Sequence, residues 1–251
     1  MMNNTEIMMH LASQYLAAAG ISFVAKKDDD SHTNLRYDAE GSYLETHPLS
    51  ENGDTLALNY STFSLDWLSQ DGMSTFSLDG ATHKEAINWI TEISAKRLNK
   101  EYTFEFHYDL PYDLKDYYTF YLEANDIAQL AQLRAIAENA LEQIVRDNHL
   151  NSSVRIWPHH FDSGAYSPLK ENDQISIGLG MAIPDSVCDT HYFYLSGYKN
   201  GSAIDVKDFK ELTKGKWVNS GFMGAVQSVT NMNESDTVAF FQEAINQFKN
   251  I

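Results

Sequence analysis

Four stretches of the chain place apolar residues at the three- and four-residue spacing of an amphipathic helix. The spacing predicts helices over about Asn4–Ala19, His83–Leu98, Ile127–Asn148 and Asp236–Phe248. Ahead of the second helix, Thr82 and Glu85 form a capping-box pattern, in which each side chain bonds the backbone amide of the other residue. We therefore expect that helix to begin directly after Thr82.

Short β-prone runs fill the sequence between these helices. They are Ile21–Lys27, Leu35–Thr46, Thr55–Ser61, Ser74–Leu78, Tyr102–Tyr108, Tyr117–Glu123, Ser153–Trp157, Gln174–Ile183, His191–Ser196 and Lys216–Asn219. Tight-turn sequences such as Asn52-Gly53 and Asp71-Gly72 separate many of them. Because tight turns join antiparallel strands, the predicted fold class is α+β with mainly antiparallel sheets.

The order of helix, strands and closing helix occurs twice, over about residues 1–120 and 121–251. This order is compatible with two pseudo-repeat halves, although strand-rich α+β chains also produce it by chance. No Pro- or Gly-rich linker separates the halves, so we expect one compact α+β domain over residues 1–251. A local identity between 62–66 and 75–79, both Thr-Phe-Ser-Leu-Asp, predicts two β-prone edges of one turn.

The chain is strongly acidic, with 18 Lys and Arg residues against 35 Asp and Glu residues and a formal net charge of −17. This charge argues against nucleic acid or an anionic membrane surface as a partner. No run of about 20 apolar residues predicts a membrane-spanning helix. Cys188 is the single cysteine, so no intrachain disulfide can form. With no basic start and no continuous apolar core to suggest a signal peptide, the expected compartment is the cytoplasm.

The segment Trp157–Asp162 is the densest candidate for chemistry, with two imidazoles and one carboxylate after a β-prone run. His159, His160 and Asp162 are candidate catalytic residues. The spacing of His160 and Asp162, with His191 as a third ligand, also allows a site for a divalent transition metal of the non-haem-iron type. The alternative interpretation is structural, with Trp157 as a core anchor and the histidines bonded to nearby backbone.

A second candidate lies on the predicted strand Tyr102–Tyr108, where period-two alternation separates an aromatic face from a polar one. Glu105, His107 and Asp109 form the polar row. This row could bind a ligand or a metal, or hold His107 as an acid or base. It could equally be the solvated face of an antiparallel strand.

Tyrosines cluster in two further places, where they suit either ligand contact or strand packing. They are Tyr108, Tyr112, Tyr117, Tyr118 and Tyr121, and later Tyr192 and Tyr194. The sequence contains no Gly-x-Ser-x-Gly nucleophile motif and no phosphate-binding glycine loop.

The second half of the chain resembles a bacterial family of unknown function. Members of this family carry S-P-V-x-x-x-W-x-x-F-D, then an I-S-x-G strand, an F-Y-x-Y strand and a final helix. The corresponding residues here are Ser153, Val154, Trp157, Phe161 and Asp162, then Ile175–Gly178, Tyr192–Tyr194 and Val238–Phe248. One extra residue lies between Trp157 and Phe161, and the first half matches poorly. The resemblance implies a related fold and a core around Trp157, and no reaction.

Two functions therefore stay open from the sequence. The first is a small-molecule or partner-binding module with a pocket lined by aromatic and histidine residues, including Trp157. The second is a hydrolase-like or non-haem-iron-like enzyme that uses His159, His160 and Asp162 as acid–base or metal-binding groups. Either His107 with Asp109 or His191 would complete its site. The first is favoured, because no catalytic motif exceeds chance.

Overall fold

A computed structural model describes residues 4–105, 107, 109–110, 118–121, 123–169 and 172–251. Over these residues the chain forms helices and two sheets whose neighbouring strands run antiparallel, which confirms the α+β class. The helices are α1 (Asn4–Phe23), α2 (His83–Leu98), α3 (Ala124–Asp147) and α4 (Glu234–Lys249).

The chain divides into two compact units, and the division falls inside α3. The N-terminal unit comprises residues 4–132 together with Ile156–His159. The C-terminal unit comprises Leu133–Arg155 and His160–Ile251. The N-terminal unit is therefore discontinuous in sequence, since it takes a short segment from beyond α3.

A five-stranded antiparallel sheet forms the β-structure of the N-terminal unit. Its strands, in both chain order and spatial order, are β1 (Arg36–Asp38), β2 (Tyr43–Glu45), β3 (Thr55–Asn59), β4 (Ser64–Ser69) and β5 (Gly72–Ser77). The repeated Thr-Phe-Ser-Leu-Asp sequences fall on the β4–β5 hairpin, where Leu65 is opposite Phe76 and Asp66 is opposite Thr75. The repeat thus lies on the two facing edges of one turn, as predicted.

Helix α2 has the predicted bounds, and its start carries the predicted capping box between Thr82 and Glu85. Helix α1 extends to Phe23, so the prediction of a strand at Ile21–Lys27 is wrong. Helix α1 is also buried around most of its circumference rather than along one stripe. Two of its buried polar side chains meet one acceptor, because Gln14 Nε2 donates to Pro158 O at 2.9 Å and His10 Nε2 lies 2.6 Å from the same oxygen.

The prediction of a strand over Tyr102–Tyr108 is also wrong for the residues that the structure describes there. The backbone amide of Thr103 bonds Ser22 Oγ of α1 at 3.1 Å, and Tyr102 donates its hydroxyl to Tyr15 O at 3.1 Å. The segment is therefore tied to a helix by side chains instead of joining a strand ladder. Phe106 and Tyr108, the other members of its predicted aromatic face, lie outside the described residues.

The second sheet has seven strands. They are β6 (Arg155–Trp157), β7 (Asp162–Leu169), β8 (Asn172–Ala182), β9 (Tyr192–Lys199), β10 (Ser202–Ala203), β11 (Lys216–Ser220) and β12 (Phe222–Ser228). The spatial order is β11-β12-β9-β8-β7-β6, with β10 paired to β9. Strands β7, β10 and β12 have no counterpart among the sequence predictions.

Side chains alternate between the two faces of this sheet. One face joins α3 and α4 in the hydrophobic core of the C-terminal unit, with contributions from Ile177, Leu179, Phe193 and Leu195. The opposite face carries the residues between them, where glycines and tyrosines predominate. These are Gly164, Tyr166, Gly178, Gly180, Tyr194 and Tyr198.

None of the helices within the described ranges is long and apolar enough to cross a membrane.

Candidate functional site

The residues predicted as a site are divided between the two units. Within the N-terminal unit lie Glu105, His107, Asp109, Trp157 and His159. Within the C-terminal unit lie His160, Asp162, His191, Tyr192 and Tyr194.

In the N-terminal unit, the predicted polar row has exposed side chains. His107 Nε2 lies 3.3 Å from Asp30 Oδ2, a partner that the sequence did not predict. Trp157 and His159 form an edge-on ring pair with centroids 6.0 Å apart. Neither contact joins the row at 105–109 to the segment at 157–159, so these contacts do not define one shared pocket.

In the C-terminal unit, the backbone around Asp162 is fixed by Arg134, a buried residue of α3. Arg134 Nη1 donates to Ser163 Oγ at 2.9 Å, and Nη2 donates to Phe161 O at 2.5 Å. Its guanidinium also lies 4.3 Å from the centroid of the Phe161 ring. Phe161 has a φ of +54°, a left-handed conformation that costs a non-glycine residue free energy. The arginine therefore stabilises the turn that leads into β7.

Because side chains alternate along β7, Asp162 points away from Arg134 and towards the glycine–tyrosine face. There Tyr194 Oη donates to Asp162 Oδ2 at 2.8 Å. Tyr194 is on β9 and Asp162 is on β7, so the phenol crosses the intervening strand β8 at Gly180. A Cβ atom at Gly180 would lie 2.7 Å from Tyr194 Oη and 2.1 Å from Ser163 O, so this crossing requires glycine.

A second tyrosine–aspartate pair lies beside the first. Tyr192 donates to Asp185 Oδ2 at 3.0 Å, and the Tyr192 and Tyr194 ring centroids are 6.4 Å apart. Desolvation and the adjacent carboxylates raise the pKa of both phenols well above the ordinary value. Both hydroxyls therefore stay protonated at neutral pH and act as hydrogen-bond donors to their aspartates. These pairs tie strands and loops together, and Asp162 Oδ1 is buried without a hydrogen-bond partner among the described residues.

The structure does not assemble the metal site considered for His160, Asp162 and His191. Across the described part of the chain, no group of three or more His, Cys, Asp or Glu side chains is arranged to hold a metal ion. His160 is exposed and His191 is partly exposed.

A ligand-sized cavity occurs elsewhere in the C-terminal unit, between β11 and the loop that precedes it. Its volume is about 460 Å³, within the usual range of about 300–1,000 Å³ for small-molecule sites. Its apolar lining comes from Val206, Phe209, Leu212 and Trp217. Concavity, size and aromatic walls make this cavity a candidate binding site.

The aromatic wall is built on α4. Phe209 and Trp217 meet edge-on with centroids 4.9 Å apart, and both rings also contact Phe248 of α4, at 5.0 and 5.8 Å. The Trp217 indole nitrogen donates to Lys210 O at 2.8 Å. This bond attaches the loop that precedes β11 to the polar edge of the indole ring. Two edge-on neighbours and one hydrogen bond fix the orientation of the indole.

Gly215 lets the loop turn into β11. Its φ is +82°, and a Cβ atom there would lie 2.6 Å from Val226 O and 3.0 Å from the Phe240 ring. Left-handed backbone and close packing both require glycine at this position.

Charged side chains of both signs line the cavity. Lys207 pairs with Asp205 at 3.3 Å. Glu211, an exposed residue, also borders it, whereas Lys216 is opposite Val226 in the β11–β12 ladder, so its side chain lies on the other face of β11 from Trp217. The cavity therefore combines an apolar wall with an exposed, charged rim.

Sequence reasoning missed this cavity. It found part of β11 as Lys216–Asn219 but gave no role to Trp217 or Phe209. The available local signal was a tryptophan in a short predicted strand. This signal is weak, because the packing of Trp217 on Phe248 cannot be deduced from the local sequence.

No protein-family model, no curated protein and no solved structure matches this chain. The resemblance of the second half to a family of unknown function stays a prediction.

Proposed function

We propose that the protein is a non-catalytic binding module that holds a small molecule in the cavity beside Trp217. The observation that carries the proposal is the cavity itself, about 460 Å³ in volume with Phe209 and Trp217 on one wall. Burial of a flat apolar group against these rings would supply most of the affinity.

The rigidity of the wall supports this function. Trp217 is fixed by Phe209, by Phe248 and by its hydrogen bond to Lys210 O. A preorganised aromatic wall loses little conformational entropy when a ligand binds, so more of the contact energy contributes to affinity.

Among the predicted tyrosines and carboxylates of the C-terminal unit, the contacts favour structure over ligand binding or catalysis. Asp162 accepts from Tyr194, and Tyr192 is bonded to Asp185. We therefore place the binding function at Trp217, and no arrangement in the described residues favours the enzymatic alternative.

Fluorine NMR of protein labelled with 5-fluorotryptophan tests the proposal directly. The sequence has four tryptophans, so the spectrum is simple, and a W217F variant assigns the Trp217 signal. Titration with indole, phenol and L-phenylalanine as probes should shift the Trp217 signal in a saturable way.

Trp89 is the matched control, because it is also a partly exposed tryptophan with an aromatic neighbour, stacked on Phe76 at 5.6 Å in the N-terminal unit. Its signal should stay unchanged. If no probe shifts Trp217, or if both signals move in parallel without saturation, the cavity is not a binding site and the proposal is wrong.

A further inference from the structure

We infer that the C-terminal unit carries a second binding site, a tyrosine platform formed by Tyr166 of β7 and Tyr198 of β9, and that its ligand is a neutral saccharide. The platform lies on the glycine–tyrosine face of the seven-stranded sheet. Trp217 lies on the opposite face, because it is paired through Ala225 with Leu195 of the hydrophobic core. The platform is therefore separate from the cavity proposed above.

The two tyrosine rings form one aromatic surface above a glycine. Their centroids are 5.9 Å apart and their planes are tilted by 52°. Gly178 of β8 lies between them, where a Cβ atom would be 3.6 Å from the Tyr166 ring and 3.8 Å from the Tyr198 ring. Because glycine has no side chain, nothing from this position rises between the rings, and both can contact one ligand.

The platform is open to solvent. Tyr166 is 56% exposed, and Tyr198 and Gly178 are partly exposed. The exposed aromatic area is therefore available to a ligand, and its burial would contribute favourable free energy to binding.

Hydroxyl groups surround the two rings, and some of their hydrogen-bonding capacity is unused. Tyr166 Oη and Ser176 Oγ make no hydrogen bond to any residue that the structure describes. Ser196 Oγ and Tyr198 Oη lie 3.2 Å apart, so one of these two hydroxyls donates to the other and the second donor is left over. A flat apolar surface edged by hydroxyls matches a sugar ring, which presents C–H groups on its face and hydroxyls around its rim.

The platform itself carries no charge. The two rows of paired residues that cross the sheet here are Tyr166–Gly178–Ser196 and Pro168–Ser176–Tyr198–Ala203. Neither row contains a lysine, arginine, aspartate or glutamate. The ligand that fits these residues is therefore neutral.

The same observations argue against two other occupants. Exposed rings on a sheet also suit the stacking of nucleobases, but single-stranded nucleic acid needs cationic groups along its phosphates, and this chain has a net charge of −17. An apolar protein surface would bury the hydroxyls of Tyr166 and Ser176 without partners, at a cost in free energy. A neutral saccharide meets neither difficulty.

Ligand-observed NMR titration of the whole chain tests the platform. The probes are maltohexaose, cellohexaose and mannohexaose at millimolar concentration, and a thymidine hexanucleotide reports nucleic-acid binding. We expect saturable binding of at least one hexasaccharide and no binding of the hexanucleotide.

Variants of the two tyrosines locate the bound saccharide. Y166A and Y198A should each weaken binding about three- to tenfold, because each removes one ring of the platform. Y166W, which keeps an aromatic ring, should bind within about twofold of the unaltered chain. Urea unfolding of each variant shows whether the C-terminal unit remains folded.

Two control variants should leave the saccharide affinity unchanged. Y121A removes a tyrosine that is 61% exposed in the N-terminal unit. W217F alters the cavity on the opposite face of the sheet.

The outcomes separate the platform from the cavity. The platform is wrong if no hexasaccharide binds saturably, if Y166A and Y198A both keep full affinity while folded, or if the hexanucleotide binds more tightly than the saccharides. Weakening by W217F alone would place the saccharide in the cavity and overturn the platform. If the aromatic probes fail to shift the Trp217 signal while the saccharide result holds, the cavity proposal fails and the platform stands.

Discussion

Tyr194 reaches across a neighbouring strand to donate a hydrogen bond to Asp162 at 2.8 Å, and Gly180 provides the space for this contact. The tyrosine–aspartate bond thus links β9 to β7, two strands that are not adjacent in the sheet. Because β8 lies between them, this link ties three strands together on the face opposite the hydrophobic core.

Replacing Gly180 with alanine should destabilise the C-terminal unit. The new methyl group would lie 2.1 Å from Ser163 O and 2.7 Å from Tyr194 Oη, so strand and phenol must both shift. We expect the free energy of unfolding in urea to fall by about 1–3 kcal/mol. G178A is the control on the same strand and face, since its methyl group would meet Tyr166 at an ordinary 3.6 Å. Equal losses for the two variants would show that the close packing at Gly180 is unimportant.

Replacing Arg134 with lysine should also be costly, although the charge is kept. Lysine cannot reproduce the two directed bonds to Phe161 O and Ser163 Oγ together with the contact on the Phe161 ring. We expect a loss of about 2–3 kcal/mol in urea unfolding. R146K, at an exposed arginine of the same helix, should change stability by less than about 0.5 kcal/mol. A neutral R134K variant would contradict the role of the planar guanidinium.

His32 should make the N-terminal unit less stable in acid. The side chain is buried, and desolvation lowers its pKa below the ordinary value of 6.5. The unfolded chain therefore binds the proton more readily than the folded chain. The stability contributed by neutral His32 is complete above about pH 6.5, and it is lost as the pH falls through the folded-state pKa. An H32N variant should show a flatter loss of stability between about pH 7 and pH 5. Thermal unfolding at a series of pH values measures this slope, and an unchanged slope would exclude His32 as its source.

Replacing Gly215 with alanine should distort the cavity. The substitution meets both an unfavourable φ of +82° and a Cβ contact of 2.6 Å with Val226 O. G201A isolates the first effect, because Gly201 has a φ of +79° with nothing within 4 Å of the added Cβ. We expect G201A to cost about 1 kcal/mol and G215A about 2–4 kcal/mol. The fluorine signal of Trp217 should move in G215A alone, and movement in both variants would mean that backbone conformation, not packing, controls the cavity.

The helices were largely predictable from the sequence. The bounds of α2 follow from its apolar spacing and from the Thr82–Glu85 capping box. The end of α1 was misassigned because a short apolar run such as Ile21–Val24 fits a helix or a strand equally well. The start of α3 is Ala124 rather than the predicted Ile127, a boundary difference of one turn.

The strands were less predictable where packing overrides propensity. Strand β7 contains Ser163, Gly164 and Pro168, residues that usually weaken a strand. Its register shifts between Pro168 and Leu169, an irregularity of the kind that accommodates proline at a bulge. Gly164 leaves room for the Tyr194 hydroxyl, because a Cβ atom at this position would lie 3.0 Å from that oxygen. A contact between residues 32 positions apart depends on sheet register and cannot be deduced from local pattern.

The candidate site shows the same limit. Asp162 and Tyr194 were each selected from the sequence, but their bond and its structural role depend on the order β9-β8-β7. The cavity was missed because its wall forms only when Phe209 and Trp217 pack on Phe248, which is distant in sequence from both. The predictions at Tyr112 and Tyr117 lie outside the described residues.

The discontinuity of the N-terminal unit has a consequence for synthesis on the ribosome. Ile156–His159 belongs to that unit, and Pro158 O accepts the side-chain amide of Gln14 in α1. A nascent chain that ends before Pro158 therefore lacks an acceptor used by a buried donor of α1, even though β1–β5 and α2 have already been made. The N-terminal unit can therefore be completed only after the whole of α3, including the part that belongs to the C-terminal unit, has been translated.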